Sequence, residues 1–193
     1  MATDRASALL IVDVQKDFCP GGALPVGEGE RVVAVLNQHI ADALARGWPV
    51  YASRDWHPAV TRHFKDYGGD WPRHCVRNTA GAAFHDDLQL PASTIVVSKG
   101  QDAESHGYSA FEGQTSEGLS LLSDLKARRI GHLYVGGLAT DYCVKHSVLD
   151  ALHAGLTVTL LRDAIAGVNL QPEDSARAIT AMQEAGADIE ARA

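Results

Sequence analysis

Short apolar runs alternate along this chain with amphipathic stretches of helical period. Residues 8–12 are apolar without interruption and stop at Asp13, which predicts a strand buried on both faces. From about 30 to 46, Val32, Val33, Leu36, Ile40 and Leu44 share one face of a helix that Gly47 ends. The same reasoning predicts strands at 49–53, 94–98, 133–135 and 156–161, with a short sixth around Ile189. Further helices are expected from a Ser116 cap through Leu119, Leu122 and Leu125, over 141–153 with Gly155 beyond, and from Pro172 as first residue to Glu184.

This β-α alternation predicts one domain over 1–193, an α/β Rossmann-like open parallel sheet of five to six strands with helices on both faces. Ligands of such sheets bind beyond the carboxyl ends of the strands. Polar residues stand at those ends: Asp13 after the first, Arg54 to His57 after the second, Lys99 after the third, Thr140 to Cys143 after the fourth. The stretch 55–90 is too long for an ordinary connection and therefore reads as functional. It holds His57, His63, His74, His85, Trp56 and Trp71.

Composition narrows the classes. A hydrophobic content of 46% suits a globular protein. The formal net charge of −7, with no basic stripe, argues against nucleic acid as a partner. No apolar run reaches the roughly 18 residues of a membrane span. The first residues lack the basic region and cleavage site of a secretory signal, so a cytoplasmic protein is expected. Cys19, Cys75 and Cys143 are odd in number and form no CxxC, which points to a reactive thiol rather than a disulfide framework.

Cys143 is the candidate thiol. With Thr140 as N-cap it falls in a first helical turn, where the dipole and free N–H groups favour a thiolate and where the Ala139 and Cys143 N–H groups could face an oxyanion. Alone it could equally be a core cysteine. Asp13 can serve such a thiol as general base, and Lys99 can hold that carboxylate in its charged form, although each alone reads as a turn residue or a solvated strand end. Asp55 and His57, two apart on an extended segment, point one way, and His63 and His74 follow in the same loop. Histidines with one carboxylate suit a divalent transition metal, zinc foremost, iron or manganese otherwise. Read singly, each is a surface histidine, and His39, His85, His106, His132, His146 and His153 are expected to be structural.

The segments Asp13-Val14-Gln15-Lys16-Asp17-Phe18, Asp55-Trp56-His57-Pro58, Trp71-Pro72-Arg73-His74-Cys75-Val76, Lys99-Gly100 and Gly137-Leu138-Ala139-Thr140-Asp141-Tyr142-Cys143-Val144 stand in one order along nearly the whole chain. In them the chain resembles the nicotinamidase (pyrazinamidase) branch of the isochorismatase-like cysteine hydrolases. The resemblance implies a triad of Asp13, Lys99 and Cys143, and a metal held by Asp55, His57 and His74, with His63 where some members supply another ligand. It implies a cis peptide between Leu138 and Ala139, and a substrate ring set among Phe18, Trp71 and Tyr108 near Leu24, with Ala139 and Tyr142 beside it and the ring nitrogen on the metal. Tyr142 departs from members that carry histidine there. The implied activity is hydrolysis of nicotinamide, and of pyrazinamide, to the acid and ammonia through a cysteine thioester. Self-association is compatible with the fold. The alternatives are a metal-free hydrolase of the same fold, acting on isochorismate, a carbamoyl amine or a ureido acid, and a non-catalytic small-molecule binding protein.

Overall fold

The computed structural model describes residues 6–191, so both ends of the expected 1–193 domain lie outside the described residues. In chain order its elements are β1 (Ala6–Val12), α1 (Arg31–Ala45), β2 (Val50–Asp55), β3 (Ile95–Lys99), β4 (Gln114–Thr115), α2 (Leu121–Ala127), β5 (Ile130–Leu138), α3 (Lys145–His153), β6 (Thr157–Ala166), α4 (Asp174–Glu184) and β7 (Asp188–Glu190). They build one sheet of seven strands in the order β4-β3-β2-β1-β5-β6-β7. Every pairing is parallel except that of β3 with β4.

Side chains on β1 alternate between two cores, as the two-residue period of a strand requires. Leu9 and Ile11 join Val32, Val33, Leu36 and Ile40 of α1 on one face of the sheet. Ala8, Leu10 and Val12 join Leu121 and Leu125 of α2, Val148 of α3 and Met182 of α4 on the other. Each large side chain so enclosed contributes about 1.5–3 kcal/mol. The two buried faces explain why the strand reads as an unbroken apolar run.

Four local expectations change. β4 is the seventh strand; two residues long, it carries no period for a pattern to reveal. Ser120, not Ser116, caps α2 by accepting the Ser123 N–H, because residues 115–119 close a turn against β4 in which the Thr115 N–H meets the Leu119 carbonyl. The last helix starts at Asp174, and Pro172 sits in the turn closed by the Asp174 N–H on the Gln171 carbonyl. Leu44 stays 48% exposed, since by the last turn of α1 the core-facing position has passed to Ala43.

The strand order reverses at β1, flanked by β2 on one side and β5 on the other. That is the switch point at which a crevice opens beyond the strand ends. Gly137, paired with Val12, lets β5 close onto β1: its φ is 125°, and a Cβ there would lie 2.1 Å from the Val12 carbonyl oxygen.

Candidate functional site

Asp13, the first residue past β1, takes a left-handed φ of 49° that turns it out of the sheet while its N–H still bonds the Ser53 carbonyl. The Ser53 hydroxyl donates to Asp13 Oδ1 at 2.7 Å, and Lys99 Nζ lies 2.7 Å from Oδ2. Lys99, at the end of β3, also donates to Asp55 Oδ1 at 2.5 Å and to the Gly107 carbonyl at 2.8 Å, and stands 3.4 Å from Cys143 Sγ. The carboxylate oxygens and the sulfur of Asp13, Asp55 and Cys143 lie within 4.8 Å of one another. Such a trio could attract a cation; the Lys99 ammonium is already there. All four side chains are buried.

Burial and neighbouring charge compete here. Burial pushes the Asp13 carboxyl above its ordinary value, with Lys99 pulling the other way. Asp55 is buried too, yet Lys99 and the facing histidines hold it well below the usual carboxylate range. The paired carboxylates overcome burial at Lys99 and raise its ammonium well above the ordinary lysine value. Burial, reinforced by Asp13 and Asp55, pushes the Cys143 thiol well up against the pull of Lys99. The resting sulfur is therefore a thiol, in contrast to the thiolate expected at a helix start. Thr140 is also not the N-cap: Ala139 holds that position with extended φ and ψ, and residues Thr140–Val144 form a π-helical turn ahead of α3.

The second oxygen of Asp55 faces a set of imidazoles. Oδ2 is 3.5 Å from His57 Nε2 and 3.8 Å from His74 Nε2. His57 Nδ1 donates to the Gly100 carbonyl at 3.0 Å and His74 Nδ1 to the Pro72 carbonyl at 2.7 Å, which leaves both Nε2 atoms with a lone pair. Gly100 is glycine because a Cβ would lie 2.4 Å from the His57 ring. The His63 ring stacks on His57 with centroids 4.6 Å apart, and ring nitrogens of His57, His63 and His74 lie within 4.8 Å of one another. Burial, then the two neighbouring imidazoles, lower His63 to about 3, and burial lowers His74, so both are neutral at physiological pH. His57 Nε2 is buried and lacks a hydrogen-bond partner.

A pocket covers both groups. Phe18, Leu24, Trp71, Tyr108, Ala139 and Tyr142 line it together with Asp55, His63, His74 and Cys143. The Trp71 indole N–H donates to the Tyr108 hydroxyl at 2.9 Å, and Tyr142 packs edge-on to Trp71 with centroids 4.8 Å apart. The Leu138–Ala139 peptide is cis.

An isochorismatase domain matches residues 7–193. This chain belongs to the isochorismatase family. Its relatives place it in the nicotinamidase branch. It is 43% identical to the nicotinamidase of Escherichia coli, over 94% of this chain and 93% of that one. The pyrazinamidase of Pyrococcus horikoshii, solved in complex with zinc, superposes with a TM-score of 0.89 at 42% identity, covering 96% of this chain and 99% of its own. An L. infantum protein solved in complex with nicotinate gives 0.85 at 32%, covering 97% and 93%.

The isochorismatase motifs converge: Asp13, Lys99 and Cys143 meet below the pocket, and Asp55, His57, His63 and His74 meet beside them. Sequence reading missed several supports. Ser53 on Asp13 and the Gly107 carbonyl on Lys99 bear no signature of their own. Val26 and Val168 line the pocket from loops distant in sequence. His106, expected to be structural, stacks parallel on Tyr108 with Nδ1 3.5 Å from His63 Nδ1.

Proposed function

We propose that this protein is a metal-dependent nicotinamidase, releasing ammonia from nicotinamide and, on the same ring-sized substrate class, from pyrazinamide. The observation that carries the reading is the contact of two systems through one side chain: Asp55 ion-pairs with Lys99 beside the Cys143 thiol and faces His57 and His74 with its other oxygen.

Asp13 takes the proton of Cys143 as the sulfur attacks the carboxamide carbon. The Lys99 ammonium, itself held charged by the two carboxylates, lies against Asp13 and opposes the upward push of burial on that carboxyl, which favours its charged, proton-accepting form. The Ala139 and Cys143 N–H groups receive the oxyanion. Asp13 then gives the proton to the leaving nitrogen, ammonia departs, and a thioester remains on Cys143. With Asp13 again as base, water cleaves it to nicotinate and the free thiol. Phe18, Trp71 and Tyr108 hold the ring by its faces and edges, and Leu24, Ala139 and Tyr142 complete the walls.

Three imidazoles and one carboxylate are the donor set of a transition metal rather than of magnesium or calcium. The orphaned, buried Nε2 of His57 fits that use. Asp55, His57, His63 and His74 would hold one divalent ion, zinc by preference; when bound it anchors and polarises the pyridine nitrogen. No described helix is long and apolar enough to cross a membrane.

The test is ammonia release over a panel of amides, on protein as purified and after chelation. The reading expects turnover of nicotinamide and pyrazinamide that chelation abolishes and zinc, manganese or iron restores. Full activity in rigorously metal-free protein contradicts it.

A further inference from the structure

The β1–β2 ladder ends at the pairing of Val12 with Ser53, where Asp13 turns away. Asp55, two residues on, presents its backbone N–H and carbonyl toward the place β1 has left. Gln15 fills that place with a side chain. Its Oε1 accepts the Asp55 N–H at 2.8 Å, and its Nε2 donates to the Asp55 carbonyl at 2.9 Å and to the Ala82 carbonyl at 2.9 Å. The residue is fully buried. Both backbone groups of one residue are thus satisfied as a neighbouring strand would satisfy them.

The residue so held is the one whose position matters twice. Asp55 must direct Oδ1 to Lys99 and Oδ2 between the Nε2 atoms of His57 and His74. A slip of the main chain by about 1 Å loses both alignments, a scale at which supporting shells decide whether a site works. The same side chain ties Asp55 to Ala82, in the long loop that also carries His63 and His74.

We propose that Gln15 is a positioning residue: its carboxamide replaces the missing strand and sets Asp55 so that one carboxylate serves both the lysine pair and the imidazole cluster. This rests on the metal reading above. A merely structural role would lower stability without selectively loosening the cation site.

Gln15→Met and Gln15→Glu separate the two, with Asp124→Asn, in the Tyr51–Asp124–Arg128 network, as a control for destabilisation. Methionine keeps the shape and removes all three bonds. Glutamate keeps the acceptor for the Asp55 N–H and adds a negative charge, which by itself would tighten cation binding. Co²⁺ is titrated by its visible absorption and displaced with Zn²⁺, alongside circular dichroism and thermal melting. Both Gln15 variants are expected to fold, to bind Co²⁺ about 10–100-fold more weakly, and to show an altered ligand-field spectrum. The control is expected to melt lower and bind as wild type. If Gln15→Met does not fold, Gln15→Glu decides. Wild-type affinity and spectrum in a folded Gln15 variant, or a loss that Asp124→Asn shares, overturns the proposal. Wild-type protein that takes up neither ion removes the metal reading, and this inference with it.

Discussion

At Lys99 one buried ammonium lies between two buried carboxylates, and among the described residues no other lysine or arginine pairs with either of them. Lys99→Met would leave Asp13 and Asp55 facing one another in a dry site. Breaking a buried ion pair in this way costs about 3–5 kcal/mol; denaturant unfolding should show a loss of that size together with loss of ammonia release. Cys143 has a different profile. Its thiol packs against the core and gives Lys99 only a 3.4 Å contact beside the two carboxylates, so Cys143→Ala should fold normally, bind nicotinamide by calorimetry as wild type does, and turn nothing over. Wild-type turnover in that variant would rule out the thioester. The identities of these residues were legible because they follow strands whose apolar runs end abruptly. Their state was not: a cysteine at a helix start suggests a thiolate, and only the fold reveals the burial and the two carboxylates that push its thiol up.

Elements set this site through their ends. The turn from β5 into α3 approaches Asp13 only because Gly137 has no Cβ. Gly137→Ala should therefore either unfold the protein or shift β5 away from β1, and a marked fall in melting temperature should accompany lost activity. In the core that α2 and α3 share on one face of the sheet, the Tyr51 hydroxyl donates to Asp124 at 2.6 Å and Arg128 Nε donates to it at 2.8 Å. These partners outweigh burial and hold the Asp124 carboxyl below its ordinary value. A depressed folded-state value means stability that is present at neutral pH and lost as pH falls below about 4. Asp124→Asn should thus be less stable than wild type by about 1–2 kcal/mol at pH 7, and the gap should narrow in acid. Equal differences at both pH values would contradict it. β1 could be read from its unbroken apolar run and α1 from its period, whereas β5 and β6 extend well past the 133–135 and 156–161 expected of them. β4 and the starts of α2 and α4 could not be read, since each is decided by a turn hydrogen bond among several serine, proline and acidic candidates.

The whole molecule joins four strand ends, those of β1, β2, β3 and β5, and one long loop around one cavity. The sheet places Asp13, Asp55 and Lys99 at the ends of adjacent strands, and the loop of 55–90 folds back so that His57, His63 and His74 meet at Asp55. Spacing along the chain indicated that the groups belong together. It could not indicate that Asp55 touches both of them, which depends on sheet register. The coupling predicts that His57→Ala weakens cation binding and nicotinamide binding together, which parallel titrations of the same preparation would register; independent loss of one alone would separate the two systems. The most direct test of the central claim is acid quenching during turnover of nicotinamide, followed by peptide mass spectrometry. A nicotinoyl group on the peptide that carries Cys143, absent from Asp13→Asn and Cys143→Ala, is the expected result. Steady ammonia release with no acyl group on Cys143, and undiminished in Cys143→Ala, would contradict it.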